Sequence, residues 1–222
     1  MLSSARKDII TSAIAVVALT AMLGILYPLL VTGVSQVAFP GNANGQKVYV
    51  GGKLVGSKII GQQWADQVVK NGKPLVDKSG NPVTTADPRY FQTRPSATVP
   101  PNNAAATTFS NLGPNNTATR DAIVANIQSY LSLEKPYNPG LSAARVPVDA
   151  ANTSASGIDP DISVANADIQ AHRVAAVRHL PLSRVMALID NYTHGRGLGF
   201  SGETGVNVME LNLALDRQAG IR

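Results

Sequence analysis

The stretch GILYPLLVTG, residues 24–33, closes an uncharged run, and its reading decides what kind of protein this is. No Asp, Glu, Lys or Arg occurs from Ile9 to Gln46. The apolar part, Ile9 to Val31, has the roughly 20 residues that cross a hydrocarbon layer about 30 Å thick. A secretory signal carries a shorter apolar region, about 7–15 residues, followed by a small-x-small cleavage site. The nearest such place, SQVAFP at 35–40, has Val37 where a small residue is needed and Pro40 close behind. The run therefore reads as an uncleaved transmembrane helix over 9–34, with a short cytoplasmic N-terminus at 1–8 and a soluble domain over 35–222.

Flanking charge sets the orientation. Arg6 and Lys7 directly precede the helix, whereas the first cation after it is Lys47, which places the N-terminus inside and the domain outside. Tyr27 and Phe39 suit the outer interface. Pro28 costs the helix a hydrogen bond near its outer end. Thr20 and Gly24 form a small-xxx-small pair through which a partner helix can approach.

Of 222 residues, 44% are apolar and 15% charged, the composition of a folded chain. There is no cysteine, which excludes disulfides and thiolate chemistry. The net charge of +5 resides in Lys47–Arg94, with eight Lys/Arg against three Asp/Glu; from Pro95 onward the balance is nine against ten. A basic stretch beside a bilayer reads as a solvated surface or as one that meets anionic headgroups, and in the second case membrane lipid is a partner. No dense basic patch interleaved with aromatics points to nucleic acid.

After the helix, KVYVGGKLVGSKIIG (47–61) predicts a hairpin turning at Gly51-Gly52. Residues 70–88 read as an exposed loop or a second small hairpin, and 98–117 as a loop. Ile123, Ile127, Tyr130 and Leu131 share one face of a helix over 119–133. A second helix, about 164–180, is capped by Ser163 and carries Ile169, Ala176, Val177 and Leu180 on its stripe, with Arg173 among them. A buried guanidinium needs a carboxylate or carbonyl, and Asp159 and Asp161 are the expected partners. A third helix begins at Ser183 as N-cap, carries Val185, Leu188, Ile189 and Tyr192, and ends at Gly195. VNVMELNLALD (206–216) predicts a strand through Val206, Val208 and Leu211, with a helical finish as the alternative. The fold class is α+β.

Local chemistry is sparse. GNANGQK lacks P-loop spacing, and GFSGE is not a GxSxG elbow. His172, His179 and His194 have no metal-ligand spacing. Pro95 holds Arg94 extended, so that RPSA reads as a rigid surface turn presenting a guanidinium, either as structure or as a subunit contact.

Seven segments in order resemble the C subunit of the bacterial Kdp potassium-transporting ATPase: 27–45, VGSKIIGQ (55–62), YFQTRPSA (90–97), SNLGPNN (110–116), VPVDAANTSASGIDPDIS (146–163), QAHRVAAVR (170–178) and VNVMELNLALD (206–216). The resemblance implies a non-catalytic subunit of a complex in the bacterial inner membrane. Its partners would be a channel-like potassium-selective subunit and a P-type ATPase subunit. It also implies a catalytic chaperone that raises the ATP affinity of the hydrolysing subunit, with ATP met only in a ternary complex and no cofactor held firmly. A domain outside the membrane cannot touch cytoplasmic ATP, so the expected effect is indirect; in the reverse orientation Gln170 and Arg173 would be the nucleotide contacts. Thr20, Gly24 and Arg94 are the candidate partner contacts. The competing classes are a membrane-anchored extracytoplasmic enzyme and a ligand-binding domain.

Overall fold

The computed structural model describes residues 2–106, 108 and 111–218. The chain divides into two units, Met1–Lys47 and Val48–Arg222. The first is one long helical rod: α1 (Leu2–Ala21), a π-helical turn (Met22–Leu26) and α2 (Tyr27–Ala38), followed by the single turn α3 (Pro40–Ala43). Its apolar span, Ala5–Ala38, is 34 residues with none buried, about 50 Å of helix at 1.5 Å per residue. That extends past both expected ends. The π turn explains how Pro28 is tolerated. Proline has no N–H and its ring crowds the carbonyl four residues back, here Gly24. The wider turn places the Tyr27 N–H on Met22 O instead, and the rod continues.

In the second unit, β1 (Lys47–Val50) and β2 (Lys53–Ser57) form the expected hairpin, with Gly51 and Gly52 at φ 56° and 80°. The 70–88 region resolves into the hairpin alternative. Strand β3 (Ala65–Gln67) pairs antiparallel with β6 (Thr84–Ala86), enclosing the small β4 (Val69–Lys70) and β5 (Lys73–Pro74) ribbon. Within the loop expected over 98–117, residues 107, 109 and 110 lie outside those described, as do 219–222 at the end of the domain. Helix α4 (Thr117–Glu134) presents Ile123, Ile127, Tyr130 and Leu131 on its half-buried face, as the spacing requires. The short α5 (Val148–Ala151) follows. Strand β7 (Asp161–Ile162) leads into α6 (Val164–Arg178), and Ser163 caps α6 by accepting from Asn166 N. Then come α7 (Leu182–Asn191), β8 (Thr193–His194), β9 (Gly205–Asn207) and α8 (Val208–Gln218). Strand β9 is central, pairing Val206 with Ile162 of β7 and Thr193 of β8.

The core lies where α6, α7 and α8 meet this three-stranded sheet. It contains Ala167, Ala171, Val174, Val185, Leu188, Ile189, Val206, Leu211 and Leu215, with Phe91 entering from the preceding segment.

Three expectations are corrected. Helix α6 turns a different face inward: Ala167, Gln170, Ala171, Arg173 and Val174 are buried, while Ala176 is exposed. Its buried face is partly polar, so an apolar stripe selects the wrong side. Helix α7 starts after Pro181 rather than at Ser183, which lies within its first turn. Finally, Val208 and Leu211 are helical. Asn207 ends the strand and its Oδ1 accepts from Glu210 N at 3.1 Å, so a strand residue doubles as an N-cap.

Gly61 shows how tightly the hairpin region meets the domain. Its N–H donates to Ile158 O at 2.7 Å, and a Cβ there would lie 2.6 Å from the Asp159 carbonyl oxygen. A backbone atom cannot swing aside as a side chain can. Gly61→Ala should cost about 1–3 kcal/mol through overpacking, whereas Gly113→Ala, with nothing within 4 Å, should be close to neutral. Urea unfolding of the two variants in detergent measures the difference.

Candidate functional site

The 88–92 segment leaves a turn at 88–90, closed by Tyr90 N on Asp87 O at 3.2 Å, belongs to no strand, and is sunk into the domain at Phe91. Its backbone groups still need partners. Side chains supply them. Buried Asn212 of α8 accepts from Phe91 N and donates to Phe91 O, both at 2.9 Å. Gln170 of α6 does the same for Gln92, accepting from its N–H at 2.7 Å and donating to its carbonyl at 3.1 Å. Arg173 donates through Nη1 to Pro88 O at 2.5 Å and Tyr90 O at 2.9 Å. Arg178 donates to Arg89 O at 2.6 Å. Two helices thus do with amides and guanidinium groups what a neighbouring strand would do with its backbone.

Arg173 is the hub. Its Nε donates to Glu134 Oε1 of α4 at 2.8 Å and its Nη2 to Gln170 Oε1 at 3.0 Å, and both members of the ion pair are fully buried. The buried clamp expected of Arg173 therefore exists, but with a different partner. Asp159 instead binds Arg94, and Asp161 faces His194 at 3.5 Å. Candidates were sought in the loop just before α6, while the carboxylate comes from the last residue of α4, 39 positions earlier. Burial pushes the Glu134 carboxyl above its ordinary range, while the Arg173 charge pulls it back; Glu134 Oε2 has no hydrogen-bond partner. Burial, aided by Glu134 and Asp149, also drives the Tyr130 hydroxyl well above its usual value. That hydroxyl donates to Asn166 Oδ1 at 2.9 Å. Asn166 in turn accepts from Gln170 and donates to Asp149, which also holds the Ser163 N–H and hydroxyl. A continuous polar network joins α4, α5, α6 and the 88–92 segment.

Above this network is a cleft of about 530 Å³ lined by residues such as Gln92, Thr93, Asn126, Tyr130, Asn166 and Gln170, with no charged side chain in its wall. A smaller pocket of about 240 Å³ collects Arg94, Asp149, Asp159, Asp161, His194 and Glu203. Among the described residues no group of three or more His, Asp or Glu is placed to hold a metal ion.

The sequence-predicted residues fall as follows. Gln170 and Arg173 are neighbours, both buried, with the polar atoms of Gln170 and all three guanidinium nitrogens of Arg173 in internal bonds. Arg94 is not on a surface turn. The 91–98 segment is half-buried or buried, and Arg94 donates to Asp159 Oδ2 at 3.2 Å and Thr153 O at 3.3 Å. The loop 152–161 captures the guanidinium that the sequence suggested was presented outward. Thr20 and Gly24 lie one turn apart on the exposed rod, and a Cβ on Gly24 would meet only Thr20 Cγ2, at 3.9 Å. Sequence reasoning missed Glu134, Asn212, Arg178 and Asp216. Arg178 Nη2 donates to Asp216 Oδ1 at 2.8 Å, its guanidinium lies 4.5 Å from the Tyr90 ring centroid, and the Tyr90 hydroxyl donates to Asp216 Oδ2. The available signal was a set of polar residues at helical spacing on otherwise apolar faces.

Three of the segments singled out above, 90–97, 170–178 and 206–216, therefore meet in one network around Tyr90-Phe91-Gln92. The family described as K+-transporting ATPase, c chain (KdpC), matches residues 9–217. The chain belongs to the KdpC family. It is similar to the potassium-transporting ATPase KdpC subunit of Variovorax paradoxus (strain S110), 44% identical over 205 residues, covering 92% of this chain and 93% of that one. The corresponding subunit of Janthinobacterium sp. (strain Marseille) is 42% identical over 201 residues, covering 90% and 93%. That of Mycobacterium bovis (strain BCG / Pasteur 1173P2) is 40% identical over 212 residues, covering 96% and 99%. The KdpC match takes in both the apolar rod and the domain with its buried network.

Removing either Glu134 or Arg173 leaves an unpaired buried charge, so Glu134→Ala and Arg173→Ala should each destabilise the domain by about 3–5 kcal/mol. The paired change Glu134→Leu/Arg173→Met should recover part of this loss. A deficit of about 1–3 kcal/mol should remain, because the Pro88 and Tyr90 carbonyls are still orphaned. Equilibrium denaturation of all three variants gives the comparison, and full recovery in the double variant would mean that the carbonyl bonds contribute nothing.

Proposed function

We propose that this chain is the membrane-anchored accessory subunit of a potassium-transporting ATPase complex and hydrolyses nothing itself. In this reading it assembles with a potassium-selective channel-like subunit and a P-type ATPase subunit in the bacterial inner membrane. The observation that carries the reading is the extent of the family match, 9–217, which takes in the apolar rod and the domain as one continuous unit of descent. The N-terminus is cytoplasmic and the domain extracytoplasmic, supported by Arg6 and Lys7 before the rod and the charge-free exit to Gln46.

The subunit acts as a catalytic chaperone, raising the ATP affinity of its partner by coupling through assembly rather than by touching nucleotide. The internal bonding of Gln170 and Arg173 supports the indirect route. A phosphate or base could engage Arg173 only by displacing the Glu134 carboxylate and the Pro88 and Tyr90 carbonyls.

Two measurements test this. Alkaline phosphatase fused after Arg222 should be active, and activity of a cytoplasmic reporter there instead would reverse the topology. ATP hydrolysis by the partner subunits assembled with this chain should be potassium-stimulated and vanadate-sensitive. Omitting this chain should lower their apparent ATP affinity with maximal rate preserved, whereas loss of the assembled complex would mark a brace. Full potassium-coupled activity without the chain would sink both roles.

A further inference from the structure

The β1–β2 hairpin is built differently at its two ends. At its base, Gly56 packs so closely on Met209 that a Cβ there would lie 2.5 Å from the methionine methyl. Lys58, just beyond, is paired with Glu210 at 2.6 Å. This end is fixed to the domain. The turn end stands free. A two-residue turn sets Tyr49 opposite Leu54 across the strands, and each is 57% exposed. Lys47, on the face of Tyr49 but toward the base, and Lys53, at the turn on the opposite face, are exposed and form no ion pair among the described residues. An aromatic, a leucine and two lysines make an amphipathic hairpin that the described residues leave largely exposed.

Chain connectivity says what can cover it. Eight residues, 39–46, separate the end of α2 from Lys47. Even fully extended they reach no more than about 30 Å. They are not extended: α3 occupies 40–43, and Asn44 is tied back to Pro40 O at 2.7 Å and to Gln36 at 3.0 Å. Whatever the orientation of the rod, the hairpin begins close to where the rod leaves the bilayer, and both leaflets offer phosphate headgroups.

We infer that the β1–β2 hairpin is a lipid-surface contact, with Tyr49 and Leu54 in the headgroup layer and Lys47 and Lys53 on anionic phosphates. Tyrosine suits that layer because it has one apolar and one wet end. Lysines add attraction that decays within a Debye length. The inference rests on the reading that the apolar rod crosses the membrane.

The absence of cysteine makes the test clean. Leu54→Cys and, as a control, Leu198→Cys each introduce a unique thiol for an environment-sensitive fluorophore; Leu198 is 90% exposed in the 195–204 loop. The full chain is reconstituted into nanodiscs containing phosphatidylglycerol. At about 0.1 M salt the probe at position 54 should emit at shorter wavelength than the probe at 198, and spin labels at headgroup depth should quench it. Both effects should shrink at about 1 M salt, where the Debye length falls from about 10 Å to about 3 Å. They should also shrink in phosphatidylcholine discs and in the Lys47→Gln/Lys53→Gln background. A probe at 54 as water-exposed as that at 198 in anionic discs overturns the inference. So does shielding that appears only when the other pump subunits are added, since a protein then covers the hairpin. Failure of the chain to incorporate into discs overturns the anchor itself, and is read separately from lipid flotation before any probe is excited.

Discussion

An irregular segment that enters the core without a neighbouring strand is the constraint around which this domain is arranged. Residues 88–92 turn and then carry Phe91 into the core outside any sheet, so the backbone groups around it find no ladder partner. A strand would solve the problem with its own backbone. Here Asn212, Gln170, Arg173 and Arg178 solve it from two helices. Each of these side chains is at a position where a globular helix would ordinarily place an apolar residue, so the cost of satisfying the segment falls on α6 and α8. The arrangement then propagates. Arg173 brings an interior charge, the charge needs Glu134, and Glu134 fixes the end of α4 against α6.

Much of the architecture was legible because it rests on local rules. Gly51-Gly52 announced a two-residue turn, Ser163 capped α6, and Ile123, Ile127, Tyr130 and Leu131 marked the inner face of α4. The uncharged run gave the rod. The misreadings share one cause. Periodicity arguments equate the inner face of a helix with its apolar face, and α6 violates that equation because Gln170 and Arg173 face inward to serve backbone groups far away in sequence and Asn166 to bond the Tyr130 and Asp149 side chains. The Arg173–Glu134 partnership spans 39 residues and the Phe91–Asn212 clamp 121, distances over which spacing carries no information. The start of α8 is different. Asn207 followed three residues later by Glu210 has the form of a capping signal, but strand-like alternation in the same stretch masked it.

The candidate site shows a similar division. Sequence alone singled out Gln170 and Arg173 through family resemblance, and the fold brings them together, although as internal donors rather than as an open surface. Three of the seven segments that carried the resemblance meet around Tyr90-Phe91-Gln92. Signature residues of a family need not mark a ligand. They can mark the hardest problem its fold has to solve.

The π turn at Met22–Leu26 has a consequence for anything that packs along the rod. A π turn adds one residue to the helical cycle. One residue is about 100° of rotation around the axis. A ridge of side chains that begins on the face of Thr20 is therefore not continued by the same spacing beyond Leu26, and the stripe after Pro28 emerges on another side. A straight partner helix lying along the first part loses register with the second. The rod is better suited to two short encounters on different faces than to one long seam.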